Sequence, residues 1–336
     1  MARVGIRDVA ARAGVSVGTV SRVINDHPSV TPEVRAAVKA IVAELDYRPD
    51  TFAQSMRRRT SRTVGVVVPD LANPFFAEIL QSAERAARTA GHDVLFVSSL
   101  EDPDAEADHL RTLAGRKVDG IVLVPSDGAH RIDPPKGVRL VLVDRMLPGF
   151  PGVSADHRGG ARTAVEHLIG LGHRRIGCIA GPAGAGPARE RLEGYLDVMA
   201  PRMPAGPEAE GLVVYGPFDY SGGRRAAAYL LDRPAAERPT AIFAGSDQQA
   251  IGALRAAADL GLAVPRDLSV VGFDGVPLSD LVNPRLTTVV QPVARLAGAA
   301  VEMILGTRPL PPPGQPLLFG CDLAERESTA PPPVAG

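Results

Sequence analysis

The spacing of apolar residues divides the chain into a short helical head and a longer body. Apolar positions in residues 6–13 recur at helical spacing, which predicts a first helix ended by a glycine. Ser16 can cap a second helix that runs to Asn25. Thr31, followed by proline at the first helical position, starts a third helix with an apolar stripe over 34–45. Three helices with a tight turn between the first two predict a helix-turn-helix.

After residue 62 the period changes to short, valine-rich apolar runs separated by amphipathic stretches. The predicted strands are 63–69, 93–99, 119–124, 139–144, 175–181, 211–215, 241–245 and 268–274. The predicted helices are 74–90, 104–116, 158–171, 187–199, 220–232 and 247–260. Apolar strands that alternate with helices indicate parallel, doubly wound sheets, and two successive sets indicate two α/β lobes. Ligands bind at the carboxyl ends of such strands, so facing lobes would enclose a cleft site.

Composition and charge support a head and a body of different character. The chain has 336 residues, 45% hydrophobic and 22% charged, which suits two or three globular domains. Its net charge is −1, but residues 1–62 carry +5 and the remainder −6. A basic head on an acidic body favours a nucleic-acid-binding module joined to another function, although a solvated charged face would give the same count.

Targeting signals and cysteines point to the cytoplasm. No apolar run is long enough to span a membrane, and the start shows no secretory pattern. The two cysteines, Cys178 and Cys321, make no disulfide framework, which fits a reducing compartment. We therefore expect a cytoplasmic protein with no membrane contact.

The residues of the head resemble those of the LacI/GalR family of bacterial transcription regulators. The resemblance is carried by IRDVAARAGVSVGTVSRVINDHPSVTPEVRAAVKAIVAELDYRPD, and the body continues it with VGVVVPDLANPFFAEIL, LGHRRIGCIAGP, VPRDLSVVGFD and RESTAPP. It covers essentially the whole chain. The resemblance implies a helix-turn-helix head and a two-lobed body like a periplasmic binding protein. It further implies DNA binding as a homodimer and control by a small effector.

By resemblance, the second helix enters the major groove of operator DNA and reads bases with Val17, Gly18 and Arg22. Arg22 can pair bidentately with guanine, while Gly18 has no side chain and reads nothing, so discrimination should depend mainly on Arg22. The remaining predicted DNA-binding residues of the head are polar groups suited to phosphate contacts or to capping: Ser16, Thr19, Ser21 and Asn25.

The segment PDTFAQSMRR, residues 49–58, resembles the family's hinge, which opens a base step from the minor groove. Met56 is apolar and long enough to wedge between bases. Ala53 is small enough for close approach, and Arg57 can enter the groove beside it. These three residues complete the predicted DNA-binding set.

By resemblance, an effector cleft between the lobes is lined by aromatic, charged and hydroxyl side chains: Phe75, Phe76, Ser126, Asp144, Arg145, Arg191, Phe218, Asp247 and Asp274. Carboxylates and arginines make directed hydrogen bonds, and aromatic faces cover the apolar side of a sugar ring. A sugar or sugar derivative is therefore the expected effector, with a purine-type effector as the alternative. Asp247 could instead only cap a helix.

The resemblance also divides the chain into four parts. These are a DNA-binding domain, 1–48; a hinge and linker, 49–62; a first lobe, 63–159 with 292–320; and a second lobe, 160–291 with 321–336. The proline-rich end ESTAPPPVAG is predicted to be disordered, and no leucine heptad is present to make a tetramer.

Other chemistries are disfavoured. The loop GPAGAGP lacks the register of a nucleotide-binding loop, and His167 and His173 do not have metal-binding spacing. His109 and His157 are expected at the surface. No catalytic pair or nucleophile can be assigned, so neither an enzyme nor a cofactor is expected. The competing class is a solute-binding protein without a DNA role, which would need export and would not need the head.

Overall fold

The computed structural model describes residues 4–47, 61–127, 132–202 and 211–333. The chain divides into two compact units, Met1–Ser61 and Arg62–Gly336. Each unit has its own hydrophobic core.

Within residues 4–47, the first unit contains three helices where the sequence predicts them: α1, Ile6–Ala13; α2, Val17–Ile24; and α3, Pro32–Glu44. Gly14 ends α1 with a φ of +63°, a left-handed conformation that favours glycine. The helices enclose a small apolar core made of Val9, Ala10, Val20, Val23 and Val38.

The second unit contains two six-stranded sheets. The first has the order β11-β5-β4-β3-β1-β2 and the second β12-β10-β9-β8-β6-β7. The strands of the first sheet are β1, Thr63–Val68; β2, Asp93–Ser98; β3, Gly120–Leu123; β4, Arg139–Val143; β5, Gly152–Ala155; and β11, Leu317–Phe319. Those of the second are β6, Ile176–Ala180; β7, Val213–Tyr215; β8, Ala241–Ala244; β9, Ser269–Asp274; β10, Thr287–Val290; and β12, Asp322–Ala324. Neighbouring strands pair in parallel except β10 and β12, which are antiparallel.

In the described part of the second unit, seven α-helices cover the two sheets: α4, Pro74–Thr89; α5, Pro103–Gly115; α6, His157–Gly170; α7, Gly186–Met199; α8, Tyr220–Leu231; α9, Asp247–Asp259; and α10, Val293–Leu305. The predicted fold class, a helical head with a doubly wound two-lobed body, is confirmed. Strands β5, β10, β11 and β12 and helix α10 were not predicted. Helix α10 packs on α4, and Leu296, Ala300 and Ile79 belong to the same hydrophobic core. The strands of the two sheets come from the ranges predicted for the two lobes, and the four-part division stays a prediction.

The C-terminal segment corrects one expectation. Residues 327–333 were predicted to be disordered, but Ser328 is fully buried and its Oγ donates to the carbonyl of Val270 at 2.6 Å. The same Oγ accepts the Thr287 N–H at 2.8 Å, and the Ala330 N–H binds Ser269 Oγ at 3.0 Å. The segment therefore closes the second sheet, because its backbone and hydroxyl groups satisfy the polar groups of β9 and β10.

Replacing Ser328 with alanine is expected to lower the free energy of unfolding by about 1–3 kcal/mol, since two buried backbone groups lose their partner. Urea unfolding of the variant measures the loss. The matched control is Ser221→Ala, at an exposed position on α8, which should change stability little. Equal stability for the two variants would show that the segment does not close the sheet.

Among the residues that the structure describes, no helix combines the length and the apolar character needed to cross a bilayer.

Candidate functional site

Helix α2 presents Gly18 and Arg22 on one exposed face, one turn apart. Arg22 Nε donates to the carbonyl oxygen of Gly18 at 3.1 Å, which lays the guanidinium along the bare backbone. A Cβ at position 18 would lie 3.7 Å from Arg22 Nη2. The two terminal nitrogens of Arg22 lie at the helix surface, and their pairing with guanine O6 and N7 stays a prediction. Val17, beside them, is half-buried.

The polar residues of the predicted DNA-binding set make hydrogen bonds at the two ends of α2. Ser16 Oγ accepts the Thr19 N–H at 3.1 Å and lies 2.9 Å from Thr19 Oγ1. Asn25 Nδ2 donates to the Ser21 carbonyl at 2.7 Å. All four therefore have a capping or helix-end role in the unbound head, and their contact with phosphate stays a prediction. Ala53, Met56 and Arg57 lie outside the described residues.

In the body, Asp144 and Asp274 occupy the carboxyl ends of β4 and β9, one in each sheet. Both have positive φ, +68° and +116°, in a region that non-glycine residues rarely adopt. Each such residue costs about 1–3 kcal/mol and typically marks a ligand or catalytic site. Both are 5% exposed.

Arg191 and His157 join the two carboxylates. Arg191 Nη1 lies 3.1 Å from Asp274 Oδ1, and Arg191 Nε donates to His157 Nδ1 at 3.4 Å. Because an arginine can only donate, Nδ1 of His157 is the acceptor in this contact. The other ring nitrogen, Nε2, lies 3.3 Å from Asp144 Oδ1. His157, expected at the surface, is 1% exposed because Phe273 and this network enclose it.

The surroundings shift the two carboxylates differently. Burial raises the pKa of Asp274 to about 6, although the nearby Arg191 opposes the shift. Burial also acts to raise the pKa of Asp144, but His157 and the two arginines outweigh it and the pKa is lowered. Asp144 is therefore ionised at neutral pH, whereas Asp274 gains and loses its proton about one pH unit below neutral, at its pKa of about 6.

Arg145 is held by a second group of carboxylates on the first lobe. Its Nη1 and Nη2 donate to the two oxygens of Glu101 at 2.9 and 3.0 Å, and Asp127 Oδ1 lies 3.1 Å from Nη1. Glu101 and its neighbour Leu100 both have positive φ, +59° and +55°. The loop after β2 therefore has a strained backbone at the point where the Glu101 carboxylate contacts Arg145.

Aromatic rings lie beside both arginines. Phe75 and Phe76 make an edge-to-face pair at 5.4 Å, and the Arg145 guanidinium lies 5.2 Å from the Phe76 ring centre. Arg191 lies 5.5 Å from the centre of the Phe218 ring. The rings of Phe76 and Phe218 thus pack against the two arginines, and their contact with a ligand stays a prediction.

Two of the predicted residues have their polar atoms engaged within the protein. Asp247 is fully buried; its Oδ2 accepts the N–H groups of Gly275 and Val276 at 2.9 and 2.8 Å, and Thr288 Oγ1 donates to Oδ1. This arrangement favours a structural role, in which Asp247 shapes the loop after Asp274. The carboxylate of Glu106 accepts both the N–H and the hydroxyl of Ser126, at 2.6 and 2.9 Å.

A cavity of about 430 Å³ opens between the lobes. Its wall includes Ser126, Asp127 and Arg145 from the first lobe and the loop 184–186 with Arg189 from the second. The volume is within the range of small-molecule sites. Of the nine predicted effector residues, Ser126 and Arg145 are part of this wall, and the other seven are not.

Sequence reasoning missed four polar residues of this region: Glu101, Glu106, His157 and Gln291. Gln291 Nε2 donates to Asp274 Oδ1 at 2.9 Å, and residue 291 directly follows β10. The rule that places ligand groups after strand ends would have found Glu101, which follows β2. It would also have found Gln291 if the short strand β10 had been predicted. Within the described parts of the chain, no cluster of three or more His, Cys, Asp or Glu could hold a metal ion.

The comparisons with known proteins agree with both units. Residues 5–50 match the family described as "Bacterial regulatory proteins, lacI family", and residues 165–329 match "Periplasmic binding protein-like domain". The chain is 36% identical to the ribose operon repressor of Halalkalibacterium halodurans, over 89% of each chain. It is 37% identical to the HTH-type transcriptional regulator GalR of Escherichia coli, over 91% of this chain and 90% of GalR.

Solved structures give the same result. A Lac repressor dimer bound to operator and the anti-inducer ONPF is similar with a TM-score of 0.84 and 28% identity, covering 98% of this chain and all of the other. A complex of the transcriptional regulator CelR with cellobiose is similar with a TM-score of 0.69 and 35% identity, over 97% of this chain and all of the other.

Proposed function

Because the chain belongs to the LacI family of bacterial regulatory proteins, whose members are DNA-binding transcription regulators and not enzymes, we propose that it is a repressor that binds a palindromic operator as a homodimer. A small, sugar-like effector bound between the lobes sets its affinity for DNA. The protein acts in the cytoplasm, where its two free cysteines stay reduced.

One observation supports the effector site more than any other. Asp144 and Asp274 stand at strand ends of the two sheets, both with strained backbones, and are joined through Arg191 and His157. A ligand bound to both carboxylates would contact both lobes at once. Binding would then favour one lobe arrangement over another, which is the differential affinity that a switch needs.

An exposed sheet edge supports the homodimer. Strand β2 is the edge of the first sheet, and Phe96 on it is 52% exposed. Leu100, just beyond the strand, is 77% exposed. Large apolar side chains on an open edge favour pairing with another chain, and a second copy is the partner that a two-fold operator requires.

Deleting residues 1–62 tests the division of labour, because the chain separates into compact units at Ser61 and Arg62. The truncated body is expected to keep its effector binding and to lose specific operator binding. Calorimetry and DNA titration measure the two properties separately. Specific DNA binding by the truncated body would refute the proposal. Equal DNA affinity with and without the head would also refute it, because that result is expected of a solute-binding protein.

Effector binding is expected to depend on pH through Asp274, whose pKa burial raises to about 6. Ligand hydroxyls that donate to the carboxylate favour its ionised form, so binding releases a proton near this pH. Affinity should therefore rise from about pH 5 to about pH 7 and then level off. Calorimetry in two buffers of different ionisation enthalpy measures the released proton, and Asp274→Asn should abolish the dependence. Affinity that falls over this range would contradict the role of Asp274.

A further inference from the structure

The helical head has no net charge within residues 4–47. This stretch contains five Lys or Arg residues and five Asp or Glu residues. The excess of five positive charges in residues 1–62 therefore comes from residues 1–3 and 48–62. Because the total charge of the three helices supplies no attraction to DNA, their attraction to phosphate depends on where the individual cations lie.

Carboxylates of the head engage three of these five cations. Arg12 Nη2 lies 2.8 Å from Glu44 Oε1, and this contact raises the pKa of Arg12. Asp26 Oδ1 lies 2.7 Å from Arg35 Nη1 and 3.2 Å from Lys39 Nζ. A phosphate group that approached any of the three cations would also face a carboxylate, which cancels much of the attraction.

The other two cations, Arg7 and Arg22, make no ion pair in the described part of the head. Both side chains are exposed, and Arg22 donates to the carbonyl oxygen of Gly18 at 3.1 Å. Asp8 follows Arg7 in the sequence, but its carboxylate accepts the Gly5 N–H at 2.8 Å. The charges of these two guanidinium groups are therefore available to a partner outside the head.

Helix α1 directs Arg7 and Arg12 to opposite flanks of its buried side. At 3.6 residues per turn, side chains five positions apart stand about 140° apart around a helix. Val9 and Ala10 between them are buried in the core of the head. Arg12 reaches Glu44 at the C-terminal end of α3. Arg7 therefore lies on the flank of α1 that is turned away from this carboxylate.

Building on the function proposed above, we infer that Arg7 binds a phosphate group of the DNA backbone while α2 lies in the groove. In a helix-turn-helix the second helix enters the major groove and the first helix crosses the backbone. An exposed guanidinium on α1 thus meets phosphate oxygens, to which it can donate two parallel hydrogen bonds. Arg7 fixes the position of the head on the duplex, and it carries no sequence information.

The salt dependence of binding to a short duplex of random sequence tests this contact in the full chain. Each neutralised phosphate contributes about 0.9 to the slope of log affinity against log salt concentration. Arg7→Ala should make the slope shallower by about 0.9 per head and by twice that amount in a homodimer. Arg7→Lys should keep the slope of the unchanged chain, because counterion release depends on charge. Urea unfolding checks that both variants are folded, as expected for an exposed side chain.

Arg12→Ala is the matched control, because it removes the same charge from the same helix at a side chain that is 62% exposed. It should leave the slope nearly unchanged. The inference is overturned if Arg7→Ala retains the original slope, if Arg12→Ala lowers the slope as much, or if Arg7→Lys loses as much as Arg7→Ala.

The ratio of operator to random affinity separates this inference from the proposed function. Arg7→Ala should leave the ratio unchanged, because the loss of a phosphate contact weakens binding to all sequences alike. A lower ratio would show that Arg7 reads bases and would overturn the inference, while the operator preference of the unchanged chain would still support the proposed function. If the unchanged chain binds no duplex, the proposed function fails and the inference fails with it.

Discussion

Replacing Arg22 with alanine is expected to reduce the preference for operator over random duplex by about 5- to 150-fold per half-site. Arg22 is exposed on α2 with its guanidinium laid along the backbone of Gly18, and Gly18 supplies no side chain to share the reading. A bidentate arginine–guanine pair is worth about 1–3 kcal/mol of discrimination. A homodimer on a palindrome loses two such pairs, so the full operator should lose roughly the square of this factor.

The measurement is a titration of operator and random duplex at one fixed salt concentration, because phosphate contacts make both affinities depend on salt. Arg22→Lys is the matched control, since lysine keeps the charge but lacks the planar fork. It should retain more of the non-specific affinity than Arg22→Ala and still lose discrimination. An unchanged ratio of operator to random affinity in either variant would show that Arg22 contacts phosphate or solvent only.

Asp274→Ala is expected to destabilise the body by about 3–5 kcal/mol, because it leaves Arg191 buried without its carboxylate. The side chains of the pair are 5% and 6% exposed, so water cannot replace the lost partner. The double variant Asp274→Ala with Arg191→Met should recover much of the loss, since it also removes the uncompensated charge. Urea unfolding of the single and double variants gives the coupling free energy directly.

The control for this cycle is Asp259→Ala, which breaks the contacts of Asp259 with Arg224 and Arg255 at the surface. A much smaller loss is expected there, because exposed ion pairs contribute little. If Asp274→Ala cost no more than Asp259→Ala, the pair with Arg191 would not be the buried centre of the cleft.

The regular elements of the fold follow from periodicity, whereas the short ones do not. The helices of the head and the valine-rich strands are long enough to show their period, and their ends carry caps such as Ser16 and Gly14. Strands β11 and β12 have three residues each, too few to show alternation or a continuous apolar run. The C-terminal segment was predicted to be disordered from its prolines, yet it is ordered by side-chain hydrogen bonds from Ser328 that composition does not reveal.

The candidate site shows the same division. Asp144 and Asp274 were predicted from a family resemblance and a strand-end rule, both of which depend on sequence position. The burial of His157 and the ion pair between Glu101 and Arg145 depend on the packing of segments that are distant in sequence, which no local pattern encodes. The engagement of Asp247 by the Gly275 and Val276 N–H groups is likewise a tertiary fact. Sequence position alone therefore could not separate residues that face a ligand from those that shape the loops around it.

The most direct test of the account is to select operators for the full chain from a random duplex library and to titrate the best one with and without an effector found by thermal shift. We predict a palindromic site that binds far more tightly than random duplex and whose affinity changes when the effector binds. The account would be contradicted by a chain that prefers no duplex sequence. It would equally be contradicted by an operator affinity that is the same with the cleft empty and filled.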